Sequence, residues 1–428
     1  MIQLIEALNF RCLRYIRRPL ERFQILVGPN ASGKTTFLDV TSFLGDLVSR
    51  GLEAAVAERT QDIRDLFWNR RGEAFELAIE AAIPEDRKER LGGAFQAIRY
   101  EVQVGQDPQT QEAAILEEKA WLKPAEKGAD DTQERSQRSL FPIEPQPPPS
   151  ILTGKARRGW QRVLSKARGG NDNFYVELRQ PKAGNGKAGK GWFPSIRLGP
   201  RRSALANLPE DEEKFPVATW LKSLLVEGVQ TLVLNSLLIR KASPPGQVRG
   251  FKPDGSNLPW VIAELAREKE RFHRWVEHLR TALPELESVR TIQRDDDKHR
   301  YLMLGYTGGL EVPSWMASDG TLRLLALTIL AYLPSFSGVY LIEEPENGIH
   351  PRAVEAVFQS LSSVYGAQIL LASHSPVILS LARPNQVLCF SRAESGATDI
   401  VSGDKHPALK DWKGETTLGT LLAAGVLG

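Results

Sequence analysis

Gly28-Pro29-Asn30-Ala31-Ser32-Gly33-Lys34-Thr35 matches G-x-x-x-x-G-K-[ST] at every fixed position. The run before it, Phe23-Gln24-Ile25-Leu26-Val27, reads as a buried strand. After it, Phe37, Val40, Phe43, Leu44, Leu47 and Val48 recur at helical spacing. Strand, glycine-rich loop and helix in that order make a phosphate cradle. The glycines let backbone N–H groups turn inward, and a helix N-terminus favours polyphosphate charge. Gly28 through Thr35, with the adjoining Thr36, are the expected contacts of a nucleoside triphosphate. Lys34 is expected to reach the β- and γ-phosphates, and the Thr35 hydroxyl to hold Mg²⁺. An ordinary glycine-rich turn is the competing reading.

Such a loop needs an apolar strand ending in carboxylates, and Gly338-Val339-Tyr340-Leu341-Ile342 runs straight into Glu343-Glu344-Pro345-Glu346. Two adjacent carboxylates at the mouth of an apolar strand are costly without a cation. Glu343 is expected to complete the Mg²⁺ shell through water, and Glu344 to polarise the attacking water as general base. A solvated loop is the alternative. A further strand, Leu370-Leu371-Ala372-Ser373, ends at His374. A lone histidine is usually a satisfied polar residue, but one at the end of a strand that follows the acidic one is expected to be catalytic. Upstream, Ala317-Ser318-Asp319-Gly320-Thr321 opens an apolar helix from Leu322 to Leu333. Ser318 or Asp319 can serve as its N-cap, and the open helix end with Gly320 can also meet a γ-phosphate; the two readings are compatible.

Taken in order, these elements resemble the ATP-binding-cassette heads of the RecF and OLD type, within the AAA-labelled ATPases. Asn9-Phe10-Arg11, Asp254-Gly255-Ser256-Asn257-Leu258, Ser318-Asp319-Gly320-Thr321-Leu322-Arg323, Glu343-Glu344-Pro345-Glu346-Asn347-Gly348-Ile349-His350-Pro351 and Ser373-His374-Ser375-Pro376 carry the resemblance. It implies an α/β fold, an ABC-ATPase head with an antiparallel β subdomain, a helical lobe and a basic insertion. It implies ATP and Mg²⁺ as cofactors and places Arg11 near the nucleotide, though Arg11 also reads as a surface arginine on the first hairpin. The loop of one subunit and the Ser318-Asp319-Gly320 helix of another would sandwich ATP, with Asn347 to His350 crossing the seam. The chain is then at least a homodimer that closes on ATP. Glu343 departs from the aspartate common in other cassette proteins, but glutamate is frequent in this branch. The Gln-bearing loop that normally completes the Mg²⁺ shell is not legible.

At 428 residues the chain has room for two or three lobes. Its 42% hydrophobic and 25% charged residues are ordinary for a globular protein, and a net charge of +3 points to no partner. No stretch approaches the ~20 apolar residues of a membrane span, and no signal-peptide pattern opens the chain. Cys12 and Cys389 lack metal-ligand spacing, so inert thiols in a reducing cytoplasm are expected.

Four regions are expected: 1–123, an N-terminal lobe with the phosphate loop; 124–215, a proline-rich linker and basic insertion; 216–310, a helical and β lobe; and 311–428, a lobe with the signature, acidic strand and histidine. Phe75 to Pro84, Ile98 to Val104 and Ala114 to Leu122 alternate like antiparallel strands, while Pro124 to Ser150 reads as an exposed linker. Between Lys155 and Arg202 thirteen basic residues face two acids, a local charge of +11, with Trp160, Phe174, Tyr175, Trp192 and Phe193 interleaved and a glycine-rich tip from Gly184 to Gly191. Arg157, Arg158, Arg162 and Lys166 are the candidate nucleic-acid contacts. A solvated insertion with its own small core, or a surface for an acidic protein, stands beside that reading. Val217 to Val226 is expected to be helical, Thr231 to Leu234 a strand, and Pro259 to Leu283 one helix of about seven turns. No heptad array is sustained, which excludes long coiled-coil arms. Asp295 to Asp297 reads as a hairpin loop, with a metal site as the lesser alternative.

Three functions compete. In the first, a regulatory ATPase of a prokaryotic anti-phage module acts on an effector in another chain, nuclease or Toprim-like. The second is a RecF-like DNA-binding repair ATPase. The third, a transporter motor, is disfavoured because about 280 residues separate the loop from Ser318. Some fifty residues follow His374, too few for a Toprim nuclease, so a nuclease is expected on a separate polypeptide. The preference for defence over repair rests on the resemblance.

Overall fold

The computed structural model describes residues 1–125, 138–178, 195–247, 250–334, 336–410, 414 and 416–427. A six-stranded sheet at its centre has the order β16-β15-β3-β14-β13-β9. These strands are β3 (Phe23–Val27), β9 (Val229–Leu232), β13 (Gly338–Glu343), β14 (Ala367–Ala372), β15 (Val387–Arg392) and β16 (Thr398–Ser402). All but the edge strand β16 run parallel. A parallel sheet is covered on both faces, which is why β3 and β14 are buried at every residue and apolar but for Gln24 and Gln368.

Over one face lies a seven-stranded antiparallel sheet of order β2-β1-β4-β5-β6-β7-β8. It comprises β1 (Ile2–Phe10), β2 (Leu13–Pro19), β4 (Ala74–Ala82), β5 (Ala97–Gln106), β6 (Ala113–Lys123), β7 (Gln161–Ala167) and β8 (Asn173–Phe174). Phe10, Phe43, Phe75 and the helix Lys34–Ser49 fill the core between the sheets. Gln368 of β14 ties the layers together: its Oε1 accepts from Ile2 N at 2.9 Å, and its Nε2 donates to Ile2 O at 2.8 Å. On the other face the helices Leu258–Leu265, Lys269–Ala282, Asp319–Thr328 and Pro351–Ser362 enclose a second core with a meander of β10 (Leu286–Gln293), β11 (Arg300–Tyr306) and β12 (Leu310–Pro313). No coiled-coil arm is present among the described residues.

Several expectations change. The basic segment includes β7, which pairs with β6 and extends the antiparallel sheet. Residues 126–137 of the expected linker, and the glycine-rich tip with Trp192 and Phe193, lie outside the described residues. The described remainder of the linker is tied down: Arg138 pairs with Asp399 at 2.7 Å, Ile143 N donates to Asp399 Oδ2 at 2.8 Å, and Ser150 Oγ donates to Glu76 Oε2 at 2.9 Å. The seven-turn helix is two helices, broken at Glu268 (φ −94°, ψ 78°). Both pack on β10, the first also on β11 and the second also on the helices 319–328 and 351–362. The expected strand Thr231–Leu234 begins and ends two residues earlier, where its pairing with β13 stops at Leu232. The helix after Ser318 tightens into a 3₁₀ turn at Ile329–Tyr332 instead of running to Leu333. Asp295 to Asp297 turn the β10–β11 hairpin, with Asp297 Oδ1 accepting from His299 N at 3.0 Å.

Candidate nucleotide-binding site

β3 delivers the chain to Gly28, where only glycine fits: φ is +148°, and a Cβ would lie 2.2 Å from the Phe390 carbonyl oxygen. Gly33 is equally constrained, with φ +103° and Thr398 Oγ1 at 2.3 Å from a built Cβ. Thr398 buttresses the loop by donating from Oγ1 to Ser32 O at 2.9 Å. The helix Lys34–Ser49 starts with no side-chain cap and no acid in its first turn, so its leading N–H groups remain available to an anion. Lys34 Nζ donates to the carbonyls of Gly28 and Pro29, both at 2.8 Å. Burial lowers its pKa, against the opposing influence of Glu344 and Glu343.

Parallel pairing sets Glu343 of β13 beside Ala372 of β14, so both chain exits open toward the phosphate loop. Thr35 Oγ1 donates to Glu343 Oε2 at 2.7 Å. Glu344 is exposed and held at φ +48°, a left-handed value rare for a residue with a side chain. Its N–H donates to Ala372 O at 2.8 Å, its carbonyl accepts from Asn347 N at 3.0 Å, and the Asn347 amide donates to its carboxylate. His374 lies two residues beyond Ala372, and its ring has no hydrogen-bond partner among the described residues.

One cleft of about 390 Å³ is lined by Arg11, Cys12, Asn30, Ala31, Ser32, Gly33, Lys34, Thr35, Thr36, Glu343, Glu344, Ala372 and His374. Gly28 and Pro29 form the loop's base behind it. Arg11 sits on the β1–β2 turn at φ +52°, its guanidinium 3.3 Å from Asp39, at the cleft's edge. Ser318, Asp319 and Gly320 do not line this cleft. Ser318 Oγ accepts from Thr321 N at 3.1 Å as a helix cap, and Asp319 pairs with Arg240 at 2.7 Å. A Cβ on Gly320 would approach Gly348 O to 2.6 Å, so this helix end packs on the Asn347–His350 loop of its own chain. His350 Nδ1 accepts from Arg352 N at 3.3 Å, capping the helix Pro351–Ser362.

Sequence reasoning missed Thr398, Arg240 and Glu346. The first two carry no motif; Glu346 stands inside one, but its partners lie on another strand. The chain leaving β9, next to the acidic strand, carries Val233-Leu234-Asn235 and no glutamine, and Asn235 caps a short helix by accepting from Leu237 N at 3.0 Å.

The candidate nucleic-acid contacts divide. Lys166 is not a surface contact: it is buried, donating to Asp172 Oδ1 at 2.8 Å and to Gly199 O at 2.7 Å. Arg162 packs over the Trp121 ring at 4.6 Å and faces Tyr175 at 5.9 Å. Arg157 and Arg158 are exposed, with Arg157 5.1 Å from the Trp160 ring centre. Arg201 pairs with Glu53 and Glu112, acids far outside the basic segment. Cys389 is buried, and burial pushes its thiol up to about 12.

A phosphate loop on a covered parallel sheet, opposed by an acidic strand end, with an antiparallel sheet on one side and a helical lobe on the other, defines the ATPase-head class of P-loop folds. Residues 23–380 match the family model described as "AAA domain, putative AbiEii toxin, Type IV TA system", and the chain belongs to that family. A search of curated proteins gives no match. Among solved structures, an SMC head bound to the C-terminal winged-helix domain of ScpA is similar at TM-score 0.50 and 15% identity, over 94% of this chain and 97% of that one. The SMC head with extended coiled coil from Pyrococcus furiosus, bound to the C-terminal domain of ScpA, is similar at TM-score 0.50 and 14% identity, over 94% and 95%. These likenesses concern the fold. Among the described residues no helix is long and apolar enough to cross a membrane.

Proposed function

We propose that the chain binds and hydrolyses ATP with Mg²⁺, closes into a dimer on ATP, and by that cycle regulates a separate effector, a nuclease or Toprim-like protein, in a prokaryotic anti-phage module. The observation that carries the reading is the single cleft joining Lys34 and Thr35 to Glu343, Glu344 and His374. Backbone N–H groups of the loop and helix bind the phosphates, and Lys34 leaves the Gly28 and Pro29 carbonyls to meet them. Thr35 would hold Mg²⁺ through its hydroxyl and Glu343 through water, both hard oxygen groups that suit this ion. When bound, the ion neutralises charge on the β- and γ-phosphates. Glu344 accepts the proton of the attacking water, and His374 meets the transferring phosphoryl oxygens from the facing strand end. Ser318, Asp319 and Gly320 lie outside their own chain's cleft, which supports their acting on the nucleotide of a second copy.

The defence role is supported by the family's description, which names a toxin of a type IV TA system. The partner-dependent output is supported by the fold-related SMC head bound to ScpA. One observation favours a RecF-like DNA-binding repair ATPase as second reading: Arg157 and Arg158 remain exposed. The test is purified protein with ATP and Mg²⁺. Turnover that disappears in Lys34→Ala, without cleavage of DNA or RNA, supports the reading; Mg²⁺-dependent nucleic-acid cleavage abolished only by a change outside the cleft overturns it. Pull-down with Glu344→Gln should recover a nuclease-like partner in an ATP-dependent manner.

A further inference from the structure

We infer that Glu346 is a positioning residue of this site, holding the backbone that carries His374 in register with Glu344. The inference rests on the role proposed for His374. The β13–β14 ladder ends where Glu344 N donates to Ala372 O at 2.8 Å, two residues short of the histidine. Beyond that point Glu346, on the loop leaving β13, continues the connection with its side chain. Its Oε1 accepts from Ser373 Oγ at 2.7 Å and from His374 N at 3.0 Å. Ser373 is fully buried, and its Oγ in turn accepts from Ser375 N at 3.0 Å. The His374 backbone is therefore fixed on both sides by one carboxylate and one hydroxyl.

Glu346 Oε2 is enclosed and has no hydrogen-bond partner among the described residues. A carboxylate kept for solubility would face water with both oxygens, whereas this one is spent between two strand exits. The His374 ring has no protein partner among the described residues, so its place in the cleft depends on its backbone. A shift of about 1 Å at such a group costs on the order of 10²-fold in rate.

The experiment compares Glu346→Ala, Glu346→Gln, His374→Ala and the double variant Glu346→Ala/His374→Ala in ATP turnover. Glu346→Ala should lower kcat about 10–100-fold while KM for ATP stays within about threefold. Glu346→Gln keeps an acceptor oxygen and should recover most of the loss. The double variant should be no slower than His374→Ala, because residues acting as a unit are not additive. Wild-type kcat in Glu346→Ala, a loss confined to KM, or multiplied losses in the double variant would overturn the inference. Full turnover in His374→Ala would remove both the histidine's role and that of Glu346, while leaving nucleotide binding intact. If the wild type hydrolyses no ATP, the proposed function fails, and the imidazole NMR signals of His374, assigned by their loss in His374→Ala, decide separately. Signals displaced in Glu346→Ala and unmoved in Glu346→Gln support the positioning role; signals unmoved in both contradict it.

Discussion

Thr35 Oγ1 donates to Glu343 Oε2 at 2.7 Å, joining residues 308 positions apart at the point where phosphate loop and acidic strand meet. Under the proposed function this pair parts to admit Mg²⁺. Glu343→Ala should leave Mg²⁺-free nucleotide binding largely intact and raise the Mg²⁺ concentration needed for turnover by roughly 10–100-fold, the usual cost of losing an outer-sphere ligand. Titrating turnover against Mg²⁺ measures it. An unchanged requirement would take Glu343 out of the metal shell.

Ser318 and Asp319 are proposed to serve the nucleotide of a second copy. A variant altered at both should bind ATP as a monomer and turn over slowly. Mixing it with Lys34→Ala should restore part of the activity, since one composite site in the heterodimer is then complete. Heterodimers that form yet remain inactive would contradict the trans arrangement.

Lys166 and the Arg157–Arg158 pair should behave oppositely. Lys166→Gln strands Asp172 in the interior, and breaking a buried ion pair costs roughly 3–5 kcal/mol, so a clear fall in Tm is expected with no specific effect on nucleic acid. If the surface contacts phosphates, replacing Arg157 and Arg158 with glutamine should leave Tm near wild type and make the log–log salt slope of binding shallower by about 0.7–0.9 per contact. An unchanged slope would return that surface to solvent or to a protein partner.

Glu177 should make the fold pH-sensitive. Burial pushes its carboxyl up to about 7, against backbone N–H groups of Val217 and Ala218 that bond it at 2.7 Å and favour the charged form. Because its folded pKa is raised above the unfolded value near 4.5, the native state holds the proton more tightly between those values. Stability from this group is present below about pH 4.5, declines as pH rises, and is lost once pH passes about 7. Thermal melts of wild type and Glu177→Gln from pH 5 to 8 should show the wild type losing ground to the variant as pH rises. Parallel curves would refute the assignment.

The legible parts of this chain were those with local signals. β3 and β14 are short, mostly apolar runs buried on both faces, and Gly28 and Gly33 stand where a side chain would collide with Phe390 or Thr398. The carboxylates and His374 were legible because each ends such a strand. What escaped the sequence depends on distant pairing. β7 carries no local sign of its ladder with β6, and a charge count over residues 155–202 cannot know that Arg201 meets Glu53 and Glu112. Lys166 has its acid only six residues away, but nothing local shows that both are buried. The break at Glu268 was hidden because the apolar stripe stays in phase across it. Arg240 beside Asp319 belongs to no motif at all.

An ATP site completed only by a second copy makes the mass of Glu344→Gln depend on nucleotide. Removing the base should slow hydrolysis by about 10²-fold or more while the loop still binds nucleotide. Sedimentation of Glu344→Gln with Mg²⁺ should show a monomer without nucleotide and a dimer or larger even-numbered assembly with ATP, and the same variant carrying Lys34→Ala should stay monomeric. A mass unchanged by saturating ATP, with binding demonstrated in the same sample, would contradict the claim.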